Sequence, residues 1–172
     1  MIGNLYYMEL TVPAISTLKI NTKKGYILID PETGEDAKVV ILSDGSEKDI
    51  VQTPENLVIY GPGDFEASGI LIKGTRTDFE SMYSIDADEG RVLVVQSSSL
   101  SKLADEDDYD AVIVKVVDQI DEAAVTAISS KLVVVYGVDE FIPDSIKANK
   151  TNKINLKKID EFASNVIYLE KK

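Results

Sequence analysis

Eight short runs of β-branched and aromatic residues occupy the first two thirds of the chain, at residues 5–11, 17–20, 26–29, 39–42, 57–60, 70–72, 82–85 and 92–95. Each is cut off by a Lys-Gly, Pro-Glu-Thr-Gly, Asp-Gly or Gly-Pro-Gly step or a similar break before it reaches helical length. Side chains crowded at Cβ suit a pleated surface, and Gly, Pro and Asp supply the turns between them. The pattern predicts strands in a mostly antiparallel first half.

After residue 100 the rhythm changes. Strands are predicted at residues 111–117, 132–136 and 166–169, with a helix over 121–129, a turn region from Asp139 and a short helix before the last strand. The helix rests on Ile120, Ala123, Ala124, Ala127 and Ile128 falling on one face, with Asp118 as N-cap. Alternating strand and helix implies crossover units and a locally parallel sheet. With 172 residues and 44% apolar content the chain can bury one sizeable core. The expected class is therefore α+β, layered, as a single domain over residues 1–172.

Charge narrows the partners. A formal charge of −12 repels phosphate backbones and anionic membranes, so neither nucleic acid nor membrane is expected as a partner. The N-terminal residues lack a basic region followed by a long apolar run, and no run approaches a membrane span, so a soluble, cytoplasmic protein is expected. With no cysteine and no histidine, disulfides, thiolate nucleophiles, imidazole bases and imidazole ligands are all excluded.

One segment carries more than pattern. Gly61-Pro-Gly-Asp-Phe-Glu66 runs on into Ala67-Ser-Gly-Ile-Leu-Ile-Lys-Gly74, and Met82-Tyr-Ser-Ile-Asp86 opens another hairpin that continues to Val95. Upstream, Thr17-Leu-Lys-Ile20 is followed by Gly25-Tyr-Ile-Leu-Ile-Asp-Pro31. Together these resemble the small metal-dependent hydrolases of the metallo-β-lactamase superfamily, in the branch with a Gly-Pro-Gly-acid-aromatic-Glu hairpin. The resemblance covers nearly the whole chain and implies a four-layer αβ/βα sandwich, here shortened.

The resemblance also implies where metal ligands should lie. The His-x-His-x-Asp-His signature that follows a buried strand falls on Asp44, Ser46, Lys48 and Asp49. The next histidine falls near Phe79, the bridging aspartate near Ser99 and the last histidine near Gly137. These positions are vestigial: a carboxylate-only set favours weakly held hard cations, and Lys48 would set a positive charge beside any ion. No metal or other cofactor is expected, and no catalytic residue is assigned.

Other chemistries are poorly served. Ser97-Ser-Ser99 beside Lys102 could be read as a Ser-Lys pair, but a polar turn capping a short helix at 100–104 is the better account. Asp44 and Asp49 read as solvated turn residues rather than paired carboxylates. Gly61-Pro-Gly63 has no following helix and reads as a tight hairpin turn rather than a phosphate loop. An acidic run, Asp105 to Asp108 with Asp110, opposes a stretch with Lys147, Lys150, Lys153, Lys157 and Lys158, and such patches can pair subunits or stay separately solvated. The leading expectation is a non-catalytic scaffold or interaction module, a homo-oligomer or a partner of another protein. The alternatives are a hydrolase rebuilt on Asp30, Asp44 and Asp49, and a small-ligand regulatory module using the old cleft.

Overall fold

A computed structural model of the protein describes residues 8–33, 36–43, 56–78, 80–103 and 108–172. Strands β1 (Glu9–Ala14), β2 (Thr17–Thr22), β3 (Gly25–Ile29), β4 (Val39–Ile41) and β5 (Leu57–Ile59) come first. They are followed by β6 (Gly63–Ala67), β7 (Ile70–Arg76), β8 (Ser81–Ala87), β9 (Gly90–Gln96), β10 (Ala111–Val116) and β11 (Val133–Gly137). The C-terminal part adds β12 (Lys150–Thr151), β13 (Ile154–Asn155) and β14 (Val166–Leu169). Among the described residues helices are few and short: α1 (Glu122–Thr126), α2 (Asp144–Lys147) and three 3-10 segments, Ser97–Lys102, Asp139–Phe141 and Leu156–Glu161. Among the described residues no helix is long and apolar enough to cross a membrane.

The strands form two mixed sheets, one of order β13-β1-β2-β3-β4-β5 and one of order β12-β14-β11-β10-β9-β8-β7-β6. Period-two alternation decides what each face buries. On β7, Ile70, Ile72 and Gly74 point inward while Leu71, Lys73 and Thr75 point out; on β8, Tyr83, Ile85 and Ala87 point inward. The main core lies between the sheets and includes Leu10, Leu18, Ile27, Ile41, Ile72, Ile113 and Val134. Each such side chain contributes about 1.5–3 kcal/mol by leaving water. Strands β10 and β11 are parallel and apolar on both faces, because a second cluster of Val112, Val114, Val125, Ile142 and Ile146 covers their outer side.

The expected parallel edge is present as β9-β10-β11-β14-β12. The first half is mostly antiparallel as expected, in β1-β2-β3 and β6-β7-β8-β9, with the exception that β3, β4 and β5 pair in parallel. Helix α1 is shorter than the spacing predicts, and its cap is Asp121, whose side chain accepts from the Ala123 N–H, not Asp118. The buried residue of α1 is Val125, whereas Ala123, Ala124 and Ala127 face solvent. Asp118 instead accepts from the Ser97 hydroxyl at 2.7 Å, a contact between distant segments. Gly61-Pro-Gly63 is not a hairpin turn: it carries the chain from β5 in one sheet to β6 in the other, and the hairpin lies further on, joining β6 to β7 at Ser68 and Gly69. Both of those residues have positive φ, +52° and +87°, as a tight hairpin turn requires.

Candidate functional site

The C-terminal ends of β3, β4, β9 and β10 converge where the two sheets meet. Asp30 follows β3 in the left-handed region at φ +54°, a conformation Asp tolerates better than most residues, and its own N–H still donates to the Ile41 carbonyl at 2.8 Å. That turn directs the carboxylate toward the next strand end. Its Oδ1 accepts from the Ser43 N–H at 2.7 Å and its Oδ2 from the Ser43 hydroxyl at 2.6 Å. From the opposite sheet, Lys115 Nζ donates to Oδ2 at 2.8 Å, and Gln96 Nε2 donates to Ser43 Oγ at 3.0 Å. The Thr17 hydroxyl fixes the Asp30 carbonyl at 3.0 Å.

This is a charged bridge between sheets, nearly closed to water: the side chains of Lys115 and Asp30 are 12% and 8% exposed. The alternation of β10 explains it. Ala111 and Ile113 lie in the inter-sheet core, and Lys115 occupies the next inward position of the same strand. Beside the bridge, Tyr83 donates to the Gly61 carbonyl at 3.0 Å, and Gly74 permits this because a Cβ there would lie 2.7 Å from the Tyr83 ring.

Tyr136 is fully buried, and its hydroxyl has no hydrogen-bond partner among the described residues. Burial first, and the Asp30 charge second, push its phenol well above the usual tyrosine range. Tyr83 is raised too, chiefly by burial, and burial together with Asp139 carries Tyr168 up to about 12. A phenol held protonated in the fold contributes stability below the unfolded value near 10 that is lost as pH rises through the folded one. Urea midpoints are therefore expected to fall between about pH 10 and 12, and to fall less in Tyr136→Phe. An equal decline in both proteins would show that Tyr136 does not drive the alkaline loss.

The sequence-predicted positions are only partly brought together. Asp44, Ser46, Lys48, Asp49 and Phe79 lie outside the described residues. Ser99 sits in the 3-10 segment after β9, where it and Ser98 both donate to Glu80 Oε1; among the described residues no hydrogen bond joins Ser99 to Asp30. Gln96, three residues earlier, is the side chain from this strand end that reaches the bridge. Lys102 lies 3.8 Å from Asp78, so the serine run has a carboxylate-paired lysine rather than a Ser-Lys dyad. Gly137 closes β11 at φ +125°. Lys115 was not among the expected site residues. Its signal was available: one cation in the apolar run Ala111-Val-Ile-Val-Lys-Val116, at a position whose parity matches the core face.

The residues present do not fit a transition ion. The chain has no imidazole or thiolate, and among the described residues no three acidic side chains cluster as a metal would need. Asp30, the carboxylate nearest in role to a ligand, is already engaged by an ammonium, a hydroxyl and an amide.

No family model matches the chain, and no curated protein matches it in sequence. Solved structures match its fold. A member of the metallo-β-lactamase superfamily from Thermotoga maritima aligns at TM-score 0.62 and 14% identity, over 96% of this chain and 100% of that one. The metallo-β-lactamase fold protein YhfI from Bacillus subtilis aligns at 0.57 and 13% identity, over 94% and 96%. A metallo hydrolase from the archaeon Ignicoccus hospitalis aligns at 0.52 and 13%, over 78% and 84%. The two mixed sheets with their few helices among the described residues are a metallo-β-lactamase-like αβ/βα sandwich in a shortened form.

Proposed function

We propose that this chain acts through its surfaces, as a non-catalytic scaffold or protein-interaction module on a metallo-β-lactamase-like fold. The observation that carries this reading is the Lys115–Asp30 bridge at 2.8 Å, which sets a fixed positive charge at the strand ends where the two sheets meet. An ammonium there repels an incoming cation and occupies the carboxylate that a rebuilt site on Asp30, Asp44 and Asp49 would need. The rim of the same edge supports a docking role. Of the exposed large apolar residues among those described, Ile15, Tyr60 and Val117 follow β1, β5 and β10 at this end of the sheets. The basic stretch lends less to assembly than its sequence suggests, since Lys147, Lys150 and Lys153 lie within 4.0 Å of Asp139, Glu170 and Glu9 of the same chain.

The test is elemental analysis and light scattering on tag-free protein, because a histidine tag would bring the ligands the chain lacks. After equilibration with zinc, manganese, iron and magnesium, substoichiometric metal is expected, together with a mass that rises with concentration and is held at the monomer by Ile15→Asp with Val117→Asp. One or two ions per chain, lost on Asp44→Ala or Asp49→Ala, would make a rebuilt hydrolase the better reading. A concentration-independent monomer would remove the self-association part of the proposal.

A further inference from the structure

On the outer face of the eight-stranded sheet, away from the bridge, lies a cavity of about 150 Å³. Its floor is Met82 of β8 and Leu93 of β9, and one wall is Leu103 and Tyr109, all packed on the second apolar cluster. Its polar lining comes from Lys73 and Thr75 on β7, Ser84 on β8 and Arg91 on β9. The strand registers explain the grouping: Lys73 lies opposite Ser84, which lies opposite Leu93, so outward side chains of three adjacent strands share one surface.

The lining runs against the character of the chain. Acidic residues outnumber basic ones 30 to 18, yet among the described residues that line this cavity there are a lysine and an arginine and no carboxylate. Among the described residues the Lys73 ammonium and the Thr75 and Ser84 hydroxyls have no hydrogen-bond or ion-pair partner, which leaves three donors aimed at one space. The Arg91 guanidinium stacks 4.7 Å from the centre of the Tyr109 ring, which orients its planar fork, and the Asp86 carboxylate stands at 3.9 Å from Nε. Two cations and two hydroxyls around a small apolar floor suit an oxyanion with several acceptor oxygens joined to a compact apolar body. The volume is about half the ~300 Å³ at which drug-sized sites begin, so the ligand is small.

We propose that this cavity binds a small organic phosphate monoester, its oxyanion between Lys73, Arg91, Thr75 and Ser84 and its apolar part against Met82, Leu93 and the Tyr109 ring. The site is separate from the bridge and does not depend on how the bridge is interpreted. The probe is phenyl phosphate, titrated calorimetrically into the full chain at low salt, with inorganic phosphate and phenol as comparators. Saturable binding of phenyl phosphate with one site per chain is expected, weaker for either comparator. Because Lys73 is exposed, Lys73→Met should fold normally and weaken phenyl phosphate by about tenfold, the loss of one charge-assisted contact. Tyr109→Phe should leave affinity nearly intact, whereas Tyr109→Ala should narrow the preference for phenyl phosphate over inorganic phosphate. Absence of saturable binding, or binding that Lys73→Met leaves unchanged, would overturn the proposal.

Discussion

Lys115→Met is expected to lower unfolding stability by about 3 kcal/mol or more, because it leaves the Asp30 carboxylate charged and almost closed to water without its counter-ion. The two Ser43 hydrogen bonds remain, which is why the lower end of the usual range for breaking a buried pair is appropriate. Asp30→Asn alone should also destabilise, by stranding the ammonium, while keeping the left-handed turn that Asn tolerates nearly as well as Asp. The double variant is expected to recover part of the loss, with a coupling of about 1–3 kcal/mol, as residues in direct contact in one network show. Urea unfolding of the four proteins at neutral pH completes the cycle. Additive losses, or a Lys115→Met cost below about 0.5 kcal/mol, would place the pair among exposed bridges of little worth.

That expectation depends on a contact no local pattern announces, since Asp30 and Lys115 are 85 residues apart in sequence. What was legible locally was the set of strands. Outward and inward residues alternate strictly on β7 and β8, and the Asp88-Glu89-Gly90 turn separates β8 from β9, so their existence follows from Cβ crowding and turn chemistry alone. The pairing of β3, β4 and β5 was not legible, because parallel partners are chosen by long connections and burial rather than by turns. The end of the Gly-Pro-Gly segment was misread for the same reason: a glycine-rich step looks alike whether it folds a hairpin or carries the chain between sheets.

The helix shows a second kind of miss. Asp118 and Asp121 are both good caps by composition, but Asp118 is engaged by Ser97 from the end of β9, which leaves Asp121 to take the Ala123 N–H. A tertiary contact thus decided between two equal local signals. The site divides likewise. Asp30 is legible in its Asp-Pro turn and Lys115 in its parity within the alternation of β10, whereas Gln96 reaches Ser43 only because the fold brings the ends of β4 and β9 together.

Gly137→Ala is expected to be the most damaging single methyl addition among the described glycines. A Cβ on Gly137 would lie 2.4 Å from the Val116 carbonyl oxygen and 2.9 Å from the Val116 nitrogen, closer than real Cβ atoms approach backbone. Val116 is also its ladder partner on β10, and the same carbonyl accepts from Val138 N–H at 3.1 Å, so relief requires prising apart the end of two central strands. The φ of +125° adds strain of about 1–3 kcal/mol for any residue with a Cβ. Together the loss should reach about 4 kcal/mol, the range that marks a specific structural fault. Gly61→Ala is the control: nothing lies within 4 Å of its Cβ, and urea midpoints should move little or rise. The result bears on more than stability, because Gly137 stands near the place that the resemblance gives to the last histidine. If alanine cannot be accommodated there, neither can imidazole, and no single substitution at Gly137 could restore a ligand without rerouting β11. A Gly137→Ala protein as stable as the parent would mean that the strand end yields easily, and Gly137→His would then become a direct trial of restoring metal affinity.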